Sequence, residues 1–301
     1  MRNKLLIVAL ISMLLNLSCV DDRKNNKVDA EIIKSKSTTT KSENLNISFL
    51  LDLSDRINPK KYPNPSMEFY LRDIAYIKSV SDAFITHLKQ KKVRRMNDKI
   101  QLYFDPEPKN QDINTISHSL RYEITRKTAT KDILKEIEQA YSTKPQKIYE
   151  AAIKDATYVG SDTWRFFKNK VNDFCILEDH RNILIILTDG YIYHENTQLK
   201  EGNLTSYLTP QLIRKYRLND EKWNEKIMSK GYGFIPTNEN LQKLEVLVLG
   251  INPDEKNQYE EDVIYKYWKD WFKTMQVNRY EIKMAVLPSN MNKIIKDFIL
   301  N

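Results

Sequence analysis

Asn182-Ile183-Leu184-Ile185-Ile186-Leu187-Thr188-Asp189-Gly190 is the stretch that decides the fold. Its aliphatic residues run from Ile183 to Leu187 without a polar interruption. A strand facing water on one side would alternate, so this one reads as buried on both faces and belongs at the centre of a parallel sheet. At its carboxyl end the chain turns through Thr188, Asp189 and Gly190, a cluster rich in oxygen donors.

Working upstream, short apolar runs alternate with helical periodicity. Ile47-Ser48-Phe49-Leu50-Leu51-Asp52 is the first strand. A helix follows over 67–90, where Ile74, Ile77, Val80, Phe84 and Leu88 recur on one face. Residues 99–104 form a strand stopped by Pro106 and Pro108, and a helix over 130–140 turns Ile133, Leu134 and Ile137 inward. Helices over 145–158 and 163–174 lead into the central strand. Downstream, the polar, aromatic-dotted segment 191–240, with Gly231-Tyr232-Gly233-Phe234, breaks the rhythm and reads as an insertion. A strand (244–249), a helix (260–275), a strand (280–287) and a closing helix (290–300) then restore it. This order predicts an α/β fold: a Rossmann-like open, mostly parallel sheet with helices on both faces.

The amino terminus carries a different message. Arg2 and Lys4 precede an apolar run from Leu5 to Leu15 that is too short to span a bilayer, as in a signal peptide. Asn16-Leu17-Ser18-Cys19 resembles the lipobox of bacterial lipoproteins, although Asn16 stands where that motif usually has an aliphatic residue. The resemblance implies cleavage after residue 18 and acylation of Cys19. An ordinary secretory signal with an incidental cysteine is the alternative. In a Gram-negative cell Val20 would favour the outer membrane, and Asp21-Asp22 resembles a surface-export signal. Residues 19–44 are polar and lack apolar clustering, so they read as a flexible tether ahead of a domain over 45–301. At random-coil scaling this tether spans about 25–30 Å.

Composition narrows the function further. The chain has two cysteines, and lipidation of Cys19 would leave Cys175 without a partner, so the core must hold the fold. A net charge of +8 is spread among 40 acids in mixed runs, without the basic stripe that nucleic-acid binding would need. Six glycines supply no phosphate loop, and no Gly-x-Ser-x-Gly elbow supports Ser54 as a nucleophile. The four histidines, His87, His118, His180 and His194, lack ligand spacing and read as surface residues, with His194 near enough to Asp189 to edge a site. Tyr267, Trp268, Trp271 and Phe272 fall at helical spacing and read as core.

Two strands end in oxygen-bearing residues: Asp52-Leu53-Ser54-Asp55-Arg56 after the first and Thr188-Asp189 after the central one. Ligands of open parallel sheets bind at the carboxyl ends of strands. Taken singly, each acid would cap a turn or helix. Together they resemble the von Willebrand factor A domain and its metal-ion-dependent adhesion site. The resemblance implies ligation by Asp52 and Ser54 from the first motif, Thr163 from the second and Asp189 from the third, with Ser161, Asp162, Asp55 and His194 as further candidates. It implies Mg²⁺, with Mn²⁺ or Ca²⁺ as substitutes, and an open coordination position filled by a partner's acid. Hard oxygen donors of this kind suit such a cation.

Arg56 departs from the pattern, because a serine is expected there. Three arrangements answer this: Arg56 points outward, the site binds metal weakly, or the guanidinium itself attracts a partner carboxylate. The expectation is a lipid-anchored binding module for a protein or surface polymer, not an enzyme. A metal-dependent phosphate or sulfate ester hydrolase and a structural lipoprotein without metal are the alternatives.

Overall fold

The computed structural model describes residues 43–155 and 160–301. The expected signal peptide, Cys19 and nearly all of the expected tether lie outside the described residues. Among the described residues no helix is long and apolar enough to cross a membrane.

Strands β1 (Asn44–Leu51), β2 (Asn97–Tyr103), β3 (Tyr122–Thr125), β4 (His180–Leu187), β8 (Leu244–Ile251) and β9 (Arg279–Met284) form one sheet in the order β3-β2-β1-β4-β8-β9. All neighbours are parallel except the β2/β3 pair. The chain moves outward from β1 to β2 and β3, then returns to the other side of β1 as β4. The topological switch point, where such sheets bind ligands, therefore lies between β1 and β4. The expected fold class is the one found.

Alternation along the strands makes two cores. Ile47, Phe49, Leu51, Ile183, Ile185 and Leu187 face α1 (Phe69–Gln90), α3 (Lys131–Asp155) and α9 (Pro288–Leu300). Leu50, Leu184, Ile186, Val246 and Val248 face α4 (Thr163–Asn169), α5 (Val171–Cys175) and α8 (Glu260–Thr274). The sheet edges are modest: β3 is four residues long, and β9 is half-buried and carries Arg279, Glu281 and Lys283. Glu281 lies 2.9 Å from Lys283 and 3.8 Å from Arg279.

Three features depart from the sequence reading. The two helices expected over 130–140 and 145–158 are one helix, α3, with Pro145 buried inside it. Ile137, Tyr141, Ile148 and Tyr149 continue one buried face across the proline, and that packing outweighs the roughly 3 kcal/mol an interior proline costs. The helix expected over 163–174 breaks at Lys170, whose backbone leaves the helical region, giving α4 and α5. Helix α2 (Gln111–His118) and strand β3 were not anticipated.

The insertion contains β5 (Lys200–Glu201), β6 (Leu204–Thr205) and β7 (Gly233–Phe234) as a small sheet, with α6 (Pro210–Lys215) and α7 (Trp223–Lys230). Leu208, Leu212, Ile213, Leu218, Ile227, Phe234 and Ile235 bury themselves in the second core, so this segment is part of the body that α8 packs against.

Candidate functional site

Asp52 and Asp189 leave neighbouring strands at the switch point. The Asp52 backbone N–H donates to Leu187 O at 3.0 Å, extending the β1/β4 ladder past the strand end. Its Oδ1 accepts from the Ser54 backbone N–H at 2.8 Å, and Oδ2 accepts from the Thr188 hydroxyl at 3.1 Å. Asp189 is partly buried, and its Oδ1 accepts from the Tyr191 backbone N–H at 3.1 Å. The turn that carries it is locked against α8: Gly190 has φ +100°, and a Cβ there would fall 2.7 Å from Ile264 Cγ2. Trp268 Nε1 donates to Gly190 O at 2.8 Å.

Ser54 precedes a 3-10 turn, Asp55–Ile57, that swings Arg56 into the interior, where it is only 6 % exposed. Of the three arrangements open at this residue, the outward one is ruled out. Nη2 donates to Asp73 Oδ2 at 2.7 Å and to Leu187 O at 2.9 Å, while Nε lies 3.3 Å from Asp52 Oδ2. Tyr149 donates its hydroxyl to the same Asp73 oxygen at 3.0 Å. Burial works against the Arg56 charge, but Asp73 and Asp52 outweigh it and hold the guanidinium above its ordinary pKa. Asp73 is raised, chiefly by burial, with Arg56 pulling the other way. Asp189 is pushed up to about 7, first by burial and then by the Asp52 charge, with Arg56 partly offsetting both.

The other expected residues gather one strand over. Asp162 N-caps α4 by accepting from the Arg165 backbone N–H at 2.9 Å, and its own N–H donates to Asp105 O at 2.8 Å at the end of β2. Arg165 Nε donates to Asp105 Oδ1 at 2.9 Å. Thr163 is buried with its hydroxyl 3.4 Å from Ser161 Oγ, and no hydrogen bond joins it to Asp52, Ser54 or Asp189. Ser161 pairs through its backbone with Tyr193. His194, expected at the surface, is buried beside this pairing; its Nδ1 accepts from the Asn196 N–H at 3.3 Å and lies 3.7 Å from Asp162 Oδ2. The sheet edge thus holds two groups: Asp52, Ser54, Arg56 and Asp189 in one, Ser161, Asp162, Thr163 and His194 in the other.

The donor set does not fit a divalent ion while Arg56 holds its place. Both Asp52 oxygens have partners, and an ion on Oδ2 would sit beside the guanidinium. Each pair of like unit charges at 4 Å costs about 4 kcal/mol at an effective dielectric of 20. Among the described residues no group of three or more His, Cys, Asp or Glu side chains is disposed to hold a metal.

Sequence reasoning missed Asp73, Tyr149, Asp105 and Arg165. Asp73 carried a readable signal: it stands four residues before Ile77 and seven before Val80, so an acid interrupts the buried stripe of α1. Asp105 is a third acid at a strand end, two residues past β2.

No family model matches this chain, and no curated protein matches it. Several solved structures do. An aerotolerance-related membrane protein from Bacteroides fragilis matches at TM-score 0.34 and 11 % identity, covering 85 % of this chain and 98 % of that one. The pilus adhesin SpaC from Lactobacillus rhamnosus GG matches at TM-score 0.40 and 11 % identity, covering 85 % of this chain but 31 % of the adhesin. The conserved hypothetical protein BatB from Bacteroides thetaiotaomicron matches at TM-score 0.36 and 12 % identity, covering 85 % and 97 % of the two chains.

Proposed function

We propose that this protein is an extracytoplasmic binding module, tethered by a lipid on Cys19, that meets a protein or surface polymer with the carboxyl-end edge of its sheet. The observation that carries the reading is the charged cluster of Asp52, Arg56 and Asp189 at the β1/β4 switch point. Around it the surface offers contact area of a suitable kind. Tyr62, close enough to Asp55 and Asp189 to feel their charge, and Tyr193, paired with Ser161, are both exposed. Tyrosine is enriched at interfaces because it presents a large, stiff, amphipathic surface.

Site-specific photo-crosslinking in intact cells tests this. A benzophenone amino acid at Tyr62 or Tyr193 of the full chain should give discrete adducts, and one at Tyr265 on α8 should give none. Equal adducts at all three positions, or none at the edge, would remove the reading. Turnover of p-nitrophenyl phosphate or sulfate that disappears in Asp52→Asn would replace it with a hydrolase. Location is tested separately: palmitate incorporation should vanish in Cys19→Ala.

A further inference from the structure

Arg56 occupies the position where the resemblance calls for a metal-ligating serine, and its guanidinium touches the carboxylate that the ion would use. A bound ion in such a crevice neutralises the strand-end acids and ties together the segments that carry them. Arg56 brings a positive charge and such ties with a side chain of the protein's own, through hydrogen bonds and an ion pair. It sets a single positive charge between Asp52 and Asp73 and joins the loop after β1 to α1 through Asp73 Oδ2. Its contact with Leu187 O fastens it to β4, and Tyr149 braces Asp73 from α3. The two hydrogen bonds from Nη2 have the spacing of N–H donors, 2.7 and 2.9 Å, while Nε faces Asp52 Oδ2 as an ion pair at 3.3 Å. Mg²⁺ requires oxygens drawn in to about 2.0–2.1 Å in octahedral array. A planar fork bridging two carboxylates and a carbonyl is work that arginine does well.

We infer that the Arg56 guanidinium is a built-in counter-ion in the structural place of a divalent cation, so that this edge is assembled and works without metal. The inference deepens the reading of the edge as a binding surface, yet its test measures ions and stability alone. The failure of one is therefore distinguishable from the failure of the other.

The test uses the full chain, with Mn²⁺ as the probe followed by electron paramagnetic resonance, and thermal unfolding as a second readout. The native chain should bind no Mn²⁺ at this edge, and neither chelator nor millimolar Mg²⁺ should shift its unfolding temperature. Arg56→Ser removes the guanidinium and supplies the hydroxyl. Its unfolding temperature should fall, and Mn²⁺ should raise it again. Adding Asp52→Asn to Arg56→Ser should abolish the Mn²⁺ effect. Two results would overturn the inference. One is Mn²⁺ binding by the native chain that weakens by about tenfold or more, roughly 1.4 kcal/mol, in Asp189→Asn. The other is a folded Arg56→Ser chain indifferent to Mn²⁺. If Arg56→Ser does not fold at all, the native chain decides: loss of stability on chelation that Mg²⁺ restores overturns the inference, and indifference to both upholds it.

Discussion

Asp98 is almost wholly enclosed at the start of β2 yet keeps its charge. Burial alone would raise its pKa, but hydrogen bonds from His87 Nε2 at 3.0 Å, the Leu45 N–H at 2.8 Å and Lys91 Nζ at 2.7 Å outweigh it and hold the carboxyl below its usual range. A depressed folded-state pKa contributes stability that is present above the unfolded value and lost as pH falls through the folded one. The urea midpoint should therefore drop steeply below about pH 4, and Asp98→Asn, weaker at neutral pH, should show a shallower acid slope. Gly190 makes a second test at this scale. Gly190→Ala combines φ +100° with a Cβ 2.7 Å from Ile264 Cγ2, so it should cost more than about 1 kcal/mol in urea titration. Asp52 and Asp189 were legible in the sequence because each stands at the end of an apolar run, Asp52 directly and Asp189 after Thr188. The inward turn of Arg56 was not, since it depends on Asp73 in α1 and Tyr149 in α3, partners that no local pattern couples to residue 56.

Elements held by long apolar periodicity were legible to within a few residues, as with α1, β4, β8 and α8. Those held otherwise were not. Helix α2 offers only Ile113 and Ile116 as large apolar residues, and β3 has four residues. Helix α5 is a further case, because the sheet meets its end with polar side chains. Asn46 Nδ2 donates to Cys175 O at 3.0 Å, Gln101 Nε2 donates to Phe174 O at 2.9 Å, and Asn182 Oδ1 accepts from both Asn46 Nδ2 and the Leu177 N–H at 2.9 Å. The Asn46 and Gln101 amides donate to carbonyls that a short helix cannot pair internally. Asn182→Ala would take the acceptor from one hydrogen of the buried Asn46 amide, which keeps Cys175 O, and from the half-buried Leu177 N–H, a loss of about 1–3 kcal/mol in all. Chemical denaturation should show a loss of that order, with α5 losing hydrogen-exchange protection before β4 does.

On the scale of the molecule, the insertion behaves as part of the main body. Phe234 packs its ring 5.2 Å from Trp271 and 5.3 Å from Tyr267, closing the second core over α8. Phe234→Ala should cost about 3–5 kcal/mol, and the aromatic and backbone circular dichroism transitions should move together. A detachable insertion would separate them. Cys175 reports the same unity: burial pushes its thiol up to about 12, so alkylation at neutral pH should label this peptide only after global unfolding. The short β3 and the alternating charges of β9 have a consequence for recognition itself. Pairing a foreign strand onto a sheet needs a long edge with free backbone groups and a tolerant surface. Neither margin supplies one. Under the binding role proposed above, a partner would be met end-on, side chain by side chain, at the strand tips and not by lengthening the sheet.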